Sequence, residues 1–478
     1  MDGYLTPDDA MRLEEDTIGE MQLPANCVYG IHTARALCNF PISGVPLSHF
    51  PELVGALAMV KKAAAMANCE VGDLAPDLAR AIITTCDEIC AGQHHKNFVV
   101  DMVQGGAGTS TNMNANEVIA NLTLERLGHN YGDYRNLHPN DHVNRSQSTN
   151  DVYPTALRLA VLSACAPLLV QQKRLSAAFA ERAQAFEAVM KVGRTQMQDA
   201  VPITLGMEFA SFADTVDEDI ERLQQASELL KEVNLGGTAV GTGVNAPSGY
   251  AERAIDNLAA ISGHNLIAAK NRIEASSDLG AFVMFSSTLK RIAVKISKIC
   301  NDLRLLSSGP RAGLGEISLP PVQAGSSIMP GKVNPVIPEV VNQVVYQVIG
   351  NDLTVTLAAE AGQLQLNAME PVLILNVLQS IRMLTRAFQV LTDRCVNGIE
   401  ANTERCQELL ERSLVLATAL APLIGYERAT EIAKIAHRTN STVAEVAVQT
   451  GAIEASDISS LLTAEAMLSR AIRQKETP

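Results

Sequence analysis

A mainly α-helical fold is predicted, and three observations predict it. Phe282, Phe285, Leu289, Ile292, Ile296, Ile299, Leu303 and Leu306 alternate spacings of three and four residues. This is a heptad seam with Lys290, Arg291, Lys295 and Lys298 off it, and it needs helical partners of similar length. Its span is about 37 Å at ~1.5 Å per residue. Further long runs have helical character, and no strand-helix alternation of a nucleotide-binding unit appears.

Taken in order, residues 1–149 mix shorter helices with loops, Ala56 to Asn68 being an Ala- and Met-rich helix that contains Lys61 and Lys62. Thr155 to Val192 carries Leu157, Val161, Ala164, Leu168 and Leu175 on one side, with a kink at Pro167. Met207 to Val233 follows as a second long helix. After the seam, Glu339 to Glu370 is helical with interruptions near Gly350 and Gly362, and Pro371 breaks it. Glu427 to Arg438 and Thr442 to Thr450 form a small helical tail. The expected architecture has three domains, 1–149, 150–404 and 405–478, with a central bundle of long helices.

Composition narrows the function. With 47% hydrophobic residues in 478, the chain can bury large cores. A formal charge of -14, aromatics at 4% and no Trp disfavour nucleic acid and anionic membranes as partners. The nine cysteines form no Cys-x-x-Cys pair, which fits reduced thiols in a cytoplasm. Met1 to Asp9 is acidic without an apolar signal core, and no run suited to spanning a membrane is apparent. The nine histidines include no His-Glu-x-x-His, so a catalytic metal is not expected, and no cofactor is called for. No Gly-x-Ser-x-Gly elbow appears either.

Four polar clusters carry the candidate chemistry. Gly105 to Asn116 places glycines before Thr109, Ser110, Thr111 and Asn112, as at a helix N-terminus able to hold an anion. Ser146 to Asp151 groups Ser148, Thr149 and Asn150 where another helix begins, with Asn150 or Asp151 as the cap. Gly193 to Pro202 exposes Thr195 and Gln196 between two helices. Gly325-Ser-Ser-Ile-Met-Pro-Gly-Lys-Val-Asn-Pro335 supplies Ser326, Ser327, Lys332 and Asn334 on a loop running from Glu316 to Pro338. Ile317, Leu319, Val322, Ile328, Met329 and Val333 are expected to bury and keep that loop ordered. Read alone, each cluster is an ordinary cap or connection. Together, neutral hydroxyls and amides with one lysine suit a carboxylate pocket.

The pattern Gly-Ser-Ser-x-Met-Pro-x-Lys-x-Asn-Pro is similar to the signature of the aspartase/fumarase superfamily, and all four clusters resemble its motifs in order. Gln104-Gly-Gly-Ala-Gly-Thr-Ser110, Gln147-Ser-Thr-Asn-Asp151, Asn334 to Gln343 and Ala358 to Asn367 resemble the aspartase branch most. Class II fumarases usually have His where this chain has Gln196. Arg135 with His138 to Asn144, by contrast, resembles a secondary carboxylate site of fumarases.

The resemblance implies reversible anti elimination of ammonia from L-aspartate to fumarate, with malate hydro-lyase chemistry as the alternative. It implies Ser326 as the base on a flexible loop and Ser327 as a donor to a carboxylate. Thr109, Ser148, Thr149, Thr195, Lys332 and Asn334 would bind carboxylates and the developing charge. Asn150 and Gln196 would lie near the amino group or α-carboxylate. It also implies a homotetramer whose sites draw motifs from three chains. A non-catalytic member, like crystallins related to argininosuccinate lyase, would lack the loop serine or lysine; both are present.

Overall fold

The computed structural model describes residues 10–458 and Leu468. The acidic run Met1 to Asp9, and residues 459–467 and 469–478 of the expected C-terminal domain, lie outside the described residues. The fold is mainly helical. In chain order the helices are α1 (Ile31–Asn39), α2 (Pro51–Glu70), α3 (Pro76–Cys90), α4 (Thr109–Arg126), α5 (Thr149–Ala185), α6 (Leu205–Glu228), α7 (Tyr250–Ser262), α8 (Gly280–Leu306), α9 (Val336–Glu360), α10 (Glu370–Arg394), α11 (Thr403–Arg412), α12 (Leu416–Ile424), α13 (Tyr426–Thr439) and α14 (Val443–Gln449). Two antiparallel hairpins join them, β1 (Met11–Asp16) with β2 (Gly19–Pro24) and β3 (Met190–Thr195) with β4 (Gln198–Thr204).

The chain divides into two compact units, the first made of 1–168, 222–291 and 347–383, the second of 169–221, 292–346 and 384–478. The division falls within α5, α6, α8, α9 and α10. In the first unit α2 packs on α3 and α7, and α4 lies against α1 and α3. In the second, Met190 and Val192 of β3 share a core with Leu410, Val415, Leu416, Ile432 and Val446 from α11 to α14 and the turn between α11 and α12.

The seam on α8 is buried along its length, from Phe282 at 0% exposed to Leu306 at 4%. Its flanking charges find partners: Lys290 pairs with Asp352 of α9, and Lys295 lies 2.7 Å from Glu218 of α6. Such pairs let a long apolar stripe carry a charged edge without stranding buried charge.

Several expectations are corrected. α9 runs unbroken through Gly350 to Asp352, because Asn351 and Asp352 are buried and bonded to Ser380 and Ser286. Pro371 lies in the first turn of α10, where a missing N–H costs nothing, so it opens a helix instead of breaking one. The segment after α5 is a β-hairpin and not a plain interhelical connection. Only Ile317 of the loop's apolar residues is fully buried; Val322, Val333, Met329 and Ile328 are exposed, the last at 83%. One helix was underestimated: α5 contains an 18-residue window of mean hydropathy 1.5, long and apolar enough to cross a bilayer. Some 78% of that window is buried inside the protein, as in the core helix of a globular fold.

Candidate active site

In the first unit the polar clusters sit at the starts of α4 and α5. Gly106, Ala107 and Gly108 all have positive φ, forming a tight left-handed turn into Thr109. A Cβ on Gly108 would enter the ring of Tyr153, so only glycine fits there. Gln104 Oε1 accepts the N–H of Thr111 at 2.9 Å, capping α4 from outside. Thr109 Oγ1 donates to Gly106 O at 2.7 Å, and a carboxylate bound here would compete for that proton.

The start of α5 is held more elaborately. Ser148, and not Asn150 or Asp151, is the capping residue: its Oγ accepts from Asn150 N at 3.2 Å. Asp151 adds a second tie, Oδ1 accepting from Ser148 N at 2.9 Å, while Oδ2 accepts from Gly236 N and Thr238 N. Burial pushes the Asp151 carboxyl up to about 6 despite these three donors. Asn150 Nδ2 spends one N–H on Ala239 O at 2.7 Å, which orients the amide and leaves its Oδ1, an acceptor, and its second N–H to meet a ligand.

Beneath Thr149 lies a buried amide network. Asn112 Nδ2 donates to Thr149 Oγ1 and to Asn144 Oδ1, and the latter also accepts from Asn116 and from Lys61 Nζ at 2.8 Å. Lys61 is fully buried, and desolvation lowers its ammonium to about 7.

In the second unit Thr195 and Gln196 stand exposed at the tip of the β3–β4 hairpin, where Gln196 and Met197 both have positive φ. The loop Gly325 to Asn334 is closed on itself. Gly325 N donates to Lys332 O at 2.9 Å, and Asn334 Nδ2 donates to Gly325 O at 2.9 Å. A Cβ on Gly325 would strike Lys332 O. Inside this ring Ser326 Oγ accepts from the N–H groups of Ile328 at 3.2 Å and Met329 at 3.1 Å. Two donors aimed at one hydroxyl oxygen favour its anionic form. Ser327 and Lys332 are exposed.

The structure thus groups Thr109, Ser148, Thr149 and Asn150 in one unit and Thr195, Gln196, Ser326, Ser327, Lys332 and Asn334 in the other. His138 Nδ1 accepts from Asn140 N and Asp141 N, capping the π-turn Pro139–Val143, and Arg135 is exposed. Among the described residues no group of three or more His, Cys, Asp or Glu is arranged to hold a metal ion.

The sequence profile of a family described as Lyase matches residues 19–350, more than half the chain. The chain belongs to the aspartase/fumarase lyase family. A profile described as Fumarase C C-terminus covers residues 416–469 as well. Among lyases of this family, an aspartate ammonia-lyase of Pseudomonas aeruginosa is 57% identical over 97% of this chain and 98% of its own length. An aspartate ammonia-lyase of Escherichia coli K12 is 50% identical over 97% and 98%. The structure of a fumarate lyase:delta crystallin from Brucella melitensis bound to cobalt superposes with a TM-score of 0.93 at 59% identity, covering 95% of this chain and 98% of that one. A class II fumarase from Schistosoma mansoni gives 0.88 at 33% identity, covering 95% and 98%.

Residues that motif reading missed are the supports. Asp151 stands three after Ser148, the Ser-x-x-Asp spacing of a reciprocal cap, so a signal for it existed. Lys61 inside an Ala-rich helix was a signal too. Nothing local marks Asn144 as the acceptor that gathers three donors.

Proposed function

We propose that this lyase catalyses the reversible anti elimination of ammonia from L-aspartate to give fumarate. The observation that carries the reading is the Ser326 hydroxyl, held by two backbone N–H groups inside the signature loop. Identities of 50–57% to aspartate ammonia-lyases over nearly full length support it.

The chemical problem is the weak acidity of a carbon-bound proton beside a carboxylate. Ionised Ser326, stabilised by the Ile328 and Met329 amides, takes the Cβ proton. The resulting aci-carboxylate carries extra negative charge, and donors that meet this charge lower the barrier. Lys332 supplies a full charge; Thr109, Ser148, Thr149, Thr195 and Ser327 supply hydroxyls. Asn334 spends one amide N–H on the loop ring and keeps a second to offer. Asn150 offers Oδ1 to the ammonium of aspartate, and Gln196 can accept from the same group. Small dicarboxylates and ammonia are the partners, with no nucleic acid, no membrane and no cofactor or metal required.

We further propose a cytoplasmic homotetramer, each site drawing motifs from three subunits, and an organisation of the chain into 1–149, 150–404 and 405–478. The fumarase alternative rests on Arg135 and His138 and on the class II fumarase neighbour. The test is kcat/KM for L-aspartate against L-malate in the fumarate-forming direction. A site pairing with a charged amine leaves polar groups unsatisfied around malate, which costs orders of magnitude in specificity. Comparable values, or a preference for malate, would replace the ammonia-lyase reading with the hydro-lyase one.

A further inference from the structure

Glu316 is fully buried at the root of the signature loop, and three elements converge on it. Arg194 Nη1 donates to its Oε1 at 2.8 Å. Lys191 Nζ lies 2.9 Å from its Oε2, an ion pair without the direction of a hydrogen bond. Lys191 also pairs with Glu208 of α6, so two cations balance two anions. The backbone of Glu316 is pinned as well, its N–H donating to Leu306 O and its carbonyl accepting from Asn402 N.

Both cations come from β3, and Arg194 directly precedes Thr195. A register shift between Gly193 and Arg194 turns the strand just before the tip. A Cβ on Gly193 would lie 2.8 Å from Val201 O, which keeps the two strands close at that bulge. Burying an ion cluster yields little net stability, because desolvation offsets most of the attraction, and apolar packing would hold the hairpin as firmly. What the charges add is direction: Arg194 Nη1 donates both to the fixed Glu316 carboxylate and to Val192 O, which leaves few orientations to the residue beside it.

We infer that Arg194, Lys191 and Glu316 are positioning residues that fix the Thr195–Gln196 tip relative to the root of the Ser326 loop. The inference rests on the ammonia-lyase reading for its kinetic consequence and on the ion cluster alone for its structural one. Arg194→Lys keeps every charge but ends one bond short of Nη1, so the two acceptors that Nη1 spans are no longer reached together. It should lower kcat/KM for L-aspartate by about 10- to 100-fold, since displacement of a positioned group by about 1 Å has that effect, while the thermal midpoint stays within a few degrees.

Thr195→Ala added to Arg194→Lys should cost little more than either change alone, because Arg194→Lys already misplaces the hydroxyl that Thr195→Ala removes. Losses that multiply would overturn the inference. Independently of any substrate, backbone hydrogen exchange at residues 194–198 should rise in Arg194→Lys, and in Arg194→Gln as the second variant. Unchanged exchange there would overturn it too. Wild-type protein inactive on aspartate, with exchange raised in the variants, would instead sink the ammonia-lyase reading and leave the positioning role standing.

Discussion

Asp151 reaches back to Ser148: its carboxylate takes the serine's N–H at 2.9 Å, three residues upstream. The same carboxylate grips Gly236 N and Thr238 N, so the glycine-rich segment after α6 is tied to the candidate binding residues. That segment, Gly236-Gly-Thr-Ala-Val-Gly-Thr-Gly243, presents two backbone donors to Asp151.

Asp151→Asn should therefore lower kcat/KM for L-aspartate about tenfold or more. The amide would turn an NH2 toward N–H donors, and a buried donor left unpaired costs about 1–3 kcal/mol. Steady-state kinetics at neutral pH checks this. Wild-type kcat/KM would mean that the cap does not position Ser148 and Thr149.

Ser326→Ala should reduce turnover by several orders of magnitude while the protein stays folded and assembled, since the half-buried hydroxyl contributes little packing. Mixing this variant with an inactive Thr109→Ala protein should restore part of the activity after subunit exchange. An assembled Ser326→Ala enzyme that keeps more than about a tenth of wild-type activity has another base. Verified mixed tetramers without recovery would argue for sites built from one chain.

Lys61 predicts a pH dependence. Burial lowers it from 10.5 to about 7, so between those values the folded chain holds fewer protons than the unfolded one. Its contribution to stability therefore rises with pH across that window and is least favourable below pH 7. Lys61→Met removes the titration. The unfolding free energy of the variant relative to wild type should be most favourable below pH 7 and decline toward pH 10.5. Urea unfolding at several pH values measures it, and a constant difference would refute the linkage.

Much of this was legible in the sequence, and the exceptions have physical reasons. The α8 seam reads directly because period-3.5 burial is local. The β3–β4 hairpin does not, because its turn uses Gln196 and Met197 at positive φ where Asn-Gly or Asp-Gly would have announced it. Pro371 misleads because proline marks helix starts and breaks alike. The four polar clusters were legible as motifs. Their supports were not: Arg194 and Glu316 are 122 residues apart, and Asp151 and Gly236 are 85 apart. Sequence spacing carries no information at that range. The exposed Ile328 defeats the simple expectation that apolar loop residues go inside.

The ring formed by Gly325, Lys332 and Asn334 makes the signature loop a cassette of fixed length. Closing a ten-residue loop costs about 2 kcal/mol of chain entropy by the logarithmic rule, and here two hydrogen bonds to one glycine meet that cost in the resting protein. A one-residue insertion or deletion inside the ring would uncouple both bonds at once and move Ser326 off its two amides. Loop grafts between relatives would thus have to carry Gly325 to Asn334 whole, and variation in length belongs outside those two residues.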